Sequence, residues 1–429
     1  MRYLVLFALT FILFLSPTVY AQNWLYVVNS LAETISRVNL DNGNVQNHIA
    51  TVGSAPNDIK IHDYRAYILN SISDNIHIFN IESQTVEGTI EFHRSGNPWE
   101  MLFADNGYAY VTNFVNGQLY EVDVNSGNIV RDFQVGATLE GIYIAAGKLF
   151  VTDVNYNPGN YTYGDGILYY SDLNDLSDWG QLAIGTNPQK IIMGPDGNLH
   201  IVCTGNYVDI MGSIYVVNPE TVQEVTHFNI GGSPGPGMAV SGELVFIGAG
   251  GWVDNGIVFC YNGNTYEILN DSNNPITVGT GAMGITSDNN GNAYSCNFNA
   301  ATISKISQSR QVIDTYNVGD GPNCAAFYNP QTGIDDDIPL PKSTELAITA
   351  YPNPFNSSTT VGFEGVTMGT DLTVKVYDLQ GTLVDKIDMK INPDYDKINW
   401  NANDLSSGIY FLRAGNYGNY VTKKITLIK

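Results

Sequence analysis

Basic residues are scarce in this chain of 429 residues: 19 Lys and Arg stand against 42 Asp and Glu, leaving a formal net charge of -23. A polyphosphate backbone is repelled by such a surface, which excludes nucleic acid as a partner. Cysteine is nearly absent, with Cys203, Cys260, Cys296 and Cys324 only. None falls in a CxxC pair, so zinc-ribbon and thioredoxin-like chemistry have no support. Each sits in a strand pattern, where a buried free thiol is the simpler expectation, although three pairings stay open in an oxidising compartment. The six histidines show neither HExxH nor another paired-ligand spacing. Long helix-forming runs are missing, and so is any apolar run of membrane-spanning length.

The longest apolar run, Leu4 to Leu15, covers 12 residues and lies next to Arg2. Pro17 breaks it, and Val19-Tyr20-Ala21 places small residues at the -3 and -1 positions of a cleavage site. Residues 1–21 are expected to be a secretory signal peptide cut after Ala21. No transmembrane anchor is expected after cleavage.

What the chain has in quantity is glycine (43) and tyrosine (27), which suit many short strands joined by tight turns. A short apolar strand that mostly ends in Asn or Asp recurs seven times, starting at Tyr26, Tyr67, Tyr110, Phe150, His200, Val245 and Tyr294. A Gly-containing lead-in recurs at the same period, as in VGSAPNDI (52–59) and IGTNPQKI (184–191). Spacings of 40 to 50 residues with several strands per unit predict a β-propeller. Turn pairs such as Asn106-Gly107 and Asp196-Gly197 divide each unit into four strands, A to D. The mature chain opens on a strand B, and 318–328 supplies a strand A with no strand B after it. These leftovers are expected to complete one blade and close the ring. The fold class is therefore all-β: a seven-bladed β-propeller over 22–333, a charged, Pro-rich linker at 334–345, and a small Ig-like β-sandwich over 346–429.

The unit Tyr110-Val111-Thr112-Asn113 with Leu119-Tyr120-Glu121-Val122-Asp123 resembles the YVTN family of propeller repeats. That resemblance implies a surface or secreted propeller and little about chemistry. In the tail, Tyr351-Pro352-Asn353-Pro354-Phe355-Asn356, Val376-Tyr377-Asp378-Leu379-Gln380-Gly381, Ser407-Gly408-Ile409-Tyr410-Phe411 and Lys423-Lys424-Ile425 appear in order. They resemble the C-terminal sorting domain of the bacterial type IX secretion system. The resemblance implies passage through the periplasm of a Gram-negative bacterium, contact with the type IX machinery, and arrival at the cell surface or in the medium.

Two catalytic motifs fail on context. Gly279-x-Gly281-x-x-Gly284 and Gly231-x-Ser233-x-Gly235 both fall on lead-in turns, with no helix pattern after them. Geometry offers better candidates. In a propeller the B–C and D–A connections share one face around the channel mouth. Asp58, Glu100, Glu140 and Asp153 come from successive blades there and could hold Ca²⁺, although no cofactor is required. A metal-assisted, lactonase-like hydrolase or lyase would follow. Three long B–C loops, 153–166, 203–213 and 248–256, carry Tyr156, Tyr161, Tyr163, Tyr207 and Trp252. With Trp99 and Asn113 these suit a glycan or protein ligand on a non-catalytic binding face. A structural surface-layer component is the third reading.

Overall fold

The computed structural model describes residues 22–93, 96–124, 126–329, 347–364, 371–379, 382–390, 397–416 and 419–429. The expected leader (1–21) and linker (334–345) lie outside them, as do Gln380 and Gly381 of the tail motif. The chain divides into two compact units, Met1–Pro339 and Leu340–Lys429.

The first unit is a ring of seven antiparallel blades. Blades 2 to 7 each take their strands A to D from consecutive sequence, beginning at Pro56, Pro98, Leu139, Pro188, Met238 and Ala282. Blade 1 is the composite one. Its strands B, C and D are Trp24–Asn29, Thr34–Asn39 and Val45–Thr51, and its strand A is Pro322–Tyr328 from the far end of the unit. Trp24 pairs with Tyr328 and Tyr26 with Ala326. The expected closure is thus observed. Each inner strand A packs on the strand A of both neighbouring blades, so the seven form a closed wall around a channel.

The two sequence landmarks prove to be one contact. The residue ending strand B lies directly over the lead-in glycine of its own blade. A Cβ on Gly53 would sit 2.7 Å from Asn70, on Gly96 2.6 Å from Asn113, and on Gly319 2.5 Å from Asn29. Gly136 meets Asp153 and Gly185 meets Cys203 in the same way. Glycine is required because any side chain there would occupy the partner's volume. Buried rows of Tyr, Val, Ile and Leu from strands B and C fill the space between blades, whereas the outer D strands stay largely exposed.

A second regularity was not legible. In six blades strand A carries a register shift at its start, as between Pro56 and Asp58 and between Pro98 and Met101. Such bulges re-aim side chains. Here they lie where strand A enters the channel.

On the opposite face, the hairpin turns are held by buried polar bonds. His200 Nδ1 and Tyr261 Oη lie 2.8 Å apart, His200 Nε2 lies 3.0 Å from Asp196, and Tyr266 Oη donates to Asp196 at 2.7 Å. Tyr294 Oη donates to Asp288 at 2.7 Å in blade 7. All four cysteines are free thiols.

The second unit is a sandwich of two antiparallel sheets. One comprises Ala347–Tyr351, Ser358–Glu364 and Lys397–Asn401; the other comprises Leu383–Lys390, Asp371–Tyr377, Gly408–Asn416 and Asn419–Leu427. Phe355, Val361, Val374, Trp400, Leu412 and Ile425 belong to one core between them.

Candidate functional site

The channel wall is divided by chemistry. Blades 2, 3 and 5 present Asn57, Asp58, Lys60, Trp99, Glu100, Gln189 and Lys190 to a cavity of about 120 Å³, while blades 6, 7 and 1 face it with Met238, Met283, Cys324 and Ala325 and with one polar residue, Asn323. Glycines on the second side admit close strand packing: a Cβ on Gly237 would lie 1.9 Å from the Met283 carbonyl oxygen.

On the polar side the carboxylates are already paired. Glu100 receives Lys190 directly and stands 3.7 Å from Lys60, and its other oxygen accepts the Ile142 N–H at 3.3 Å. Asp58 lies 3.8 Å from Lys60 and accepts the Met101 N–H at 3.1 Å. Burial pushes the Glu100 carboxyl up, and the ammonium groups of Lys190 and Lys60 pull against it. Glu140 has no cation of its own. It is 2 % exposed, and its Oε2 has no hydrogen-bond partner. Burial, with the Glu100 charge beside it, pushes the Glu140 carboxyl well above the ordinary carboxylate range, and the Gln189 amide only partly opposes this. Burial thus favours the protonated form of Glu140.

This has a testable consequence. The unfolded chain ionises Glu140 near its ordinary value of ~4.3, while the folded chain keeps the proton. Stability conferred by the protonated form is complete below that pH and falls as pH rises toward the folded value, by ~1.4 kcal/mol per pH unit. Glu140→Gln is expected to match the wild type near pH 4 and to melt at increasingly higher temperature than it by pH 8. A melting difference that stays constant with pH would show that Glu140 ionises freely.

The four expected metal ligands do not form one set. Asp58, Glu100 and Glu140 lie on successive inner strands, but Asp153 is turned into its own blade. Its carboxylate accepts the N–H groups of Ala137 (2.7 Å), Thr138 (3.0 Å) and Asn155 (2.8 Å) and the Thr138 hydroxyl (2.9 Å). Among the described residues, no group of three or more His, Cys, Asp or Glu is placed to hold a metal ion. The expectation failed because strand-B ends pin the lead-in turn rather than face the channel. Asn113 is corrected for the same reason. It is fully buried, donates to the Gln118 carbonyl at 3.0 Å, and offers no surface to a ligand.

The loop aromatics are partly joined. Trp99, Phe114, Tyr156, Tyr163 and Tyr207 form a continuous arc over blades 3, 4 and 5, with successive ring centroids 5.4, 5.9, 5.0 and 5.9 Å apart. Tyr156 and Tyr163 belong to a two-stranded hairpin within the blade 4 loop, and their rings pack together at a 44° tilt. Burial pushes the Tyr163 hydroxyl up to about 12, with Tyr207, Glu140 and Tyr156 nearby. Tyr207 and Tyr161 stay exposed. Trp252 stands apart from the arc, on the blade 6 loop. There Gly250 and Ala282 exchange backbone hydrogen bonds at 2.8 and 2.9 Å, and the indole meets Phe298 edge-on.

Sequence reasoning missed two groups. Lys190 lies in the lead-in 184–191 and Lys60 directly follows the lead-in 52–59, so aligning the lead-ins with the residue after each for basic side chains would have found them. The exposed aliphatics Leu31, Ile72 and Val115 each lie two residues beyond a strand-B Asn, a periodic signal of their own.

In the tail, the sorting motifs are brought together. Asn353 donates to the Lys424 carbonyl at 3.2 Å and accepts the Thr426 N–H at 2.9 Å; Asn356 donates to the Ile428 carbonyl at 3.1 Å. Phe355 is buried against Trp400, which in turn meets Tyr410. Tyr351 pairs with Thr360 in the smaller sheet, and the Pro352 carbonyl accepts the Thr359 hydroxyl. Gly408 opens the strand that pairs with the last one, and Lys423 and Lys424 on that last strand are exposed. The cis peptide bond lies between Asn353 and Pro354.

Architecture first defines the class: a seven-bladed propeller joined to a β-sandwich. Residues 349–429 then match the family model described as "Secretion system C-terminal sorting domain". The tail is a type IX sorting domain, and the protein is a secreted or cell-surface protein of a Gram-negative bacterium. No curated protein matches the chain. Solved structures similar to it include a putative 6-phosphogluconolactonase from Bacteroides fragilis (TM-score 0.57, 12 % identity, 73 % of this chain and 99 % of that one). A functionally unknown protein from Desulfotomaculum acetoxidans gives 0.55 at 16 % identity, covering 72 % and 99 %. Hydrazine synthase from Kuenenia stuttgartiensis gives 0.52 at 13 %, covering 65 % and 94 %. At these identities the likeness extends to the fold alone. Among the described residues, no helix is long and apolar enough to cross a membrane.

Proposed function

We propose that the exported propeller is a non-catalytic module that binds a protein partner on its B–C face. One observation carries this reading. Six blades place exposed large apolar side chains on that face: Leu31, Ile72, Val115, Tyr161, then Tyr207, Val208, Ile210 and Met211, then Trp252 and Val253. On the A–B and C–D turns of the opposite face, Tyr64 is the counterpart among the described residues. Patches of this kind mark interaction surfaces.

Seven of these ten side chains are not aromatic, which favours a protein over a glycan, since sugar rings stack on aromatic faces. The blade 5 loop is also built to stay in place. Asn206 Oδ1 accepts the N–H groups of Val208, Asp209 and Ile210 at 3.0, 3.0 and 2.9 Å, so little ordering entropy remains to be lost on binding. The rim selects charge. Asp165, Asp209, Asp254 and Asp320 are exposed on these connections, and the sequence of the connections holds Arg94 as its one Lys or Arg. The partner that fits offers an apolar patch bordered by Lys and Arg.

The test is an array of extracellular proteins and glycans probed with the mature protein. Protein ligands are expected, and binding should weaken with salt. Replacing Tyr161, Tyr207 and Trp252 together by Ala should cost at least about 100-fold in affinity, as loss of aromatic anchors does. Unchanged binding by that triple variant, or hits confined to glycans, would refute the reading.

A further inference from the structure

We propose that the channel holds a second, separate site for a small neutral polyhydroxy ligand, a single sugar ring or a comparable polyol. The cavity has two unlike walls. Asn57, Gln189 and the charge pairs line one; Met238, Met283 and Ala325 line the other, with the amide of Asn323 beside them. A pyranose has the same division, hydroxyls at its edge and C–H groups on its faces.

Charge decides the class of ligand. Lys190 is committed to Glu100, and Lys60 lies between Glu100 and Asp58. An anion would compete with these carboxylates, and a cation with the ammonium groups, so either must break a buried pair to enter. A neutral ligand breaks none. The unbonded polar atom in the cavity wall belongs to a neutral side chain. Asn57 lines the cavity, and its Oδ1 is buried and unbonded. Buried polar atoms ordinarily find partners, so an unbonded amide oxygen in the cavity wall points to a guest that supplies one. Trp99 borders the cavity and is backed by Phe114, which leaves the indole held as a stacking surface at the mouth. Hydroxyl groups both donate and accept, as the side-chain amides of Asn57, Gln189 and Asn323 in the lining demand.

The site is independent of the docking face, and each can fail without the other. The test is saturation-transfer NMR on the mature protein with D-glucose, D-galactose, D-mannose and N-acetyl-D-glucosamine, beside D-gluconate and D-glucosamine as charged counterparts. At least one neutral sugar is expected to bind saturably and better than either charged one. Trp99→Ala and Gln189→Ala should each weaken that binding by about tenfold or more. Tyr64→Ala, on the opposite face, should leave it unchanged, and melting temperatures check that every variant is folded. The proposal is overturned if no neutral sugar binds at up to about 50 mM, far above a ~1 mM affinity. Tighter binding of a charged counterpart, or wild-type affinity in both folded variants, overturns it equally.

Discussion

A chain ending at Asn329 is expected to melt in one cooperative transition, and a chain ending at Asn317 to show none. The two differ by 12 residues of sequence, yet those residues hold the strand that closes the ring. Pro322–Tyr328 hydrogen-bonds along Trp24–Asn29 and packs on the inner strands of blades 2 and 7. Removing it strips cover from Leu25, Tyr26, Val27 and Val28, all fully buried, and takes out Ala326 and Phe327. It also removes Gly319, on which Asn29 sits, and the carbonyls of Gly321 and Asp320 that accept the N–H groups of Ser30 and Ala32. A buried Phe alone is worth ~1.5–3 kcal/mol, against a whole-domain stability of only ~5–15 kcal/mol. The exposed edge of Trp24–Asn29 would then be a template for aggregation. Circular dichroism melts and limited proteolysis of the two truncations decide the matter. A cooperative melt from the shorter chain would mean that six blades are stable unclosed.

That closure was legible because phase is a property of the whole repeat. A strand B without a strand A at one end, and the converse at the other, leave one economical pairing. The Asn and Gly landmarks were legible as markers but not as a contact, because sequence period does not reveal which side chain lies over which backbone. The channel was the least legible part. The bulges at the start of strand A shift the side-chain alternation locally, so lead-in residues cannot be sorted into channel-facing and blade-facing by counting in twos. Asp153 shows the cost of ignoring this: it aligns with Asn29, Asn70 and Asn113 and shares their seat over a glycine, not the channel of Glu100. Lys60 and Lys190 were overlooked because a strongly acidic chain invites a search for carboxylate clusters. The loop aromatics were read correctly as unusual. Which of them pack together depends on loop conformation, which no periodic pattern encodes.

Phe355→Ala is expected to abolish export, and through folding rather than recognition. The first and last tail motifs lie more than 60 residues apart in sequence, but the structure laces them into one clamp. Phe355 N–H donates to the Thr426 carbonyl at 2.9 Å, and Ile428 N–H donates to the Phe355 carbonyl at 2.8 Å. The ring inserts into the core, 3 % exposed, with its centroid 5.8 Å from that of Trp400. A buried Phe→Ala change costs ~3–5 kcal/mol, which a unit of this size can scarcely lose and stay folded. The last strand, carrying Lys423 and Lys424, would come loose with it. Lys423→Ala with Lys424→Ala makes the informative contrast, since both side chains are exposed and their removal leaves the core intact. The expected pattern is full-length protein retained in the periplasm for both variants, protease-sensitive for Phe355→Ala and protease-resistant for the double lysine variant. Export of Phe355→Ala at the wild-type level would show that the machinery reads an extended signal and not a folded clamp. Normal export of the lysine variant would move recognition away from the exposed end of the last strand, toward the surface that the clamp itself creates.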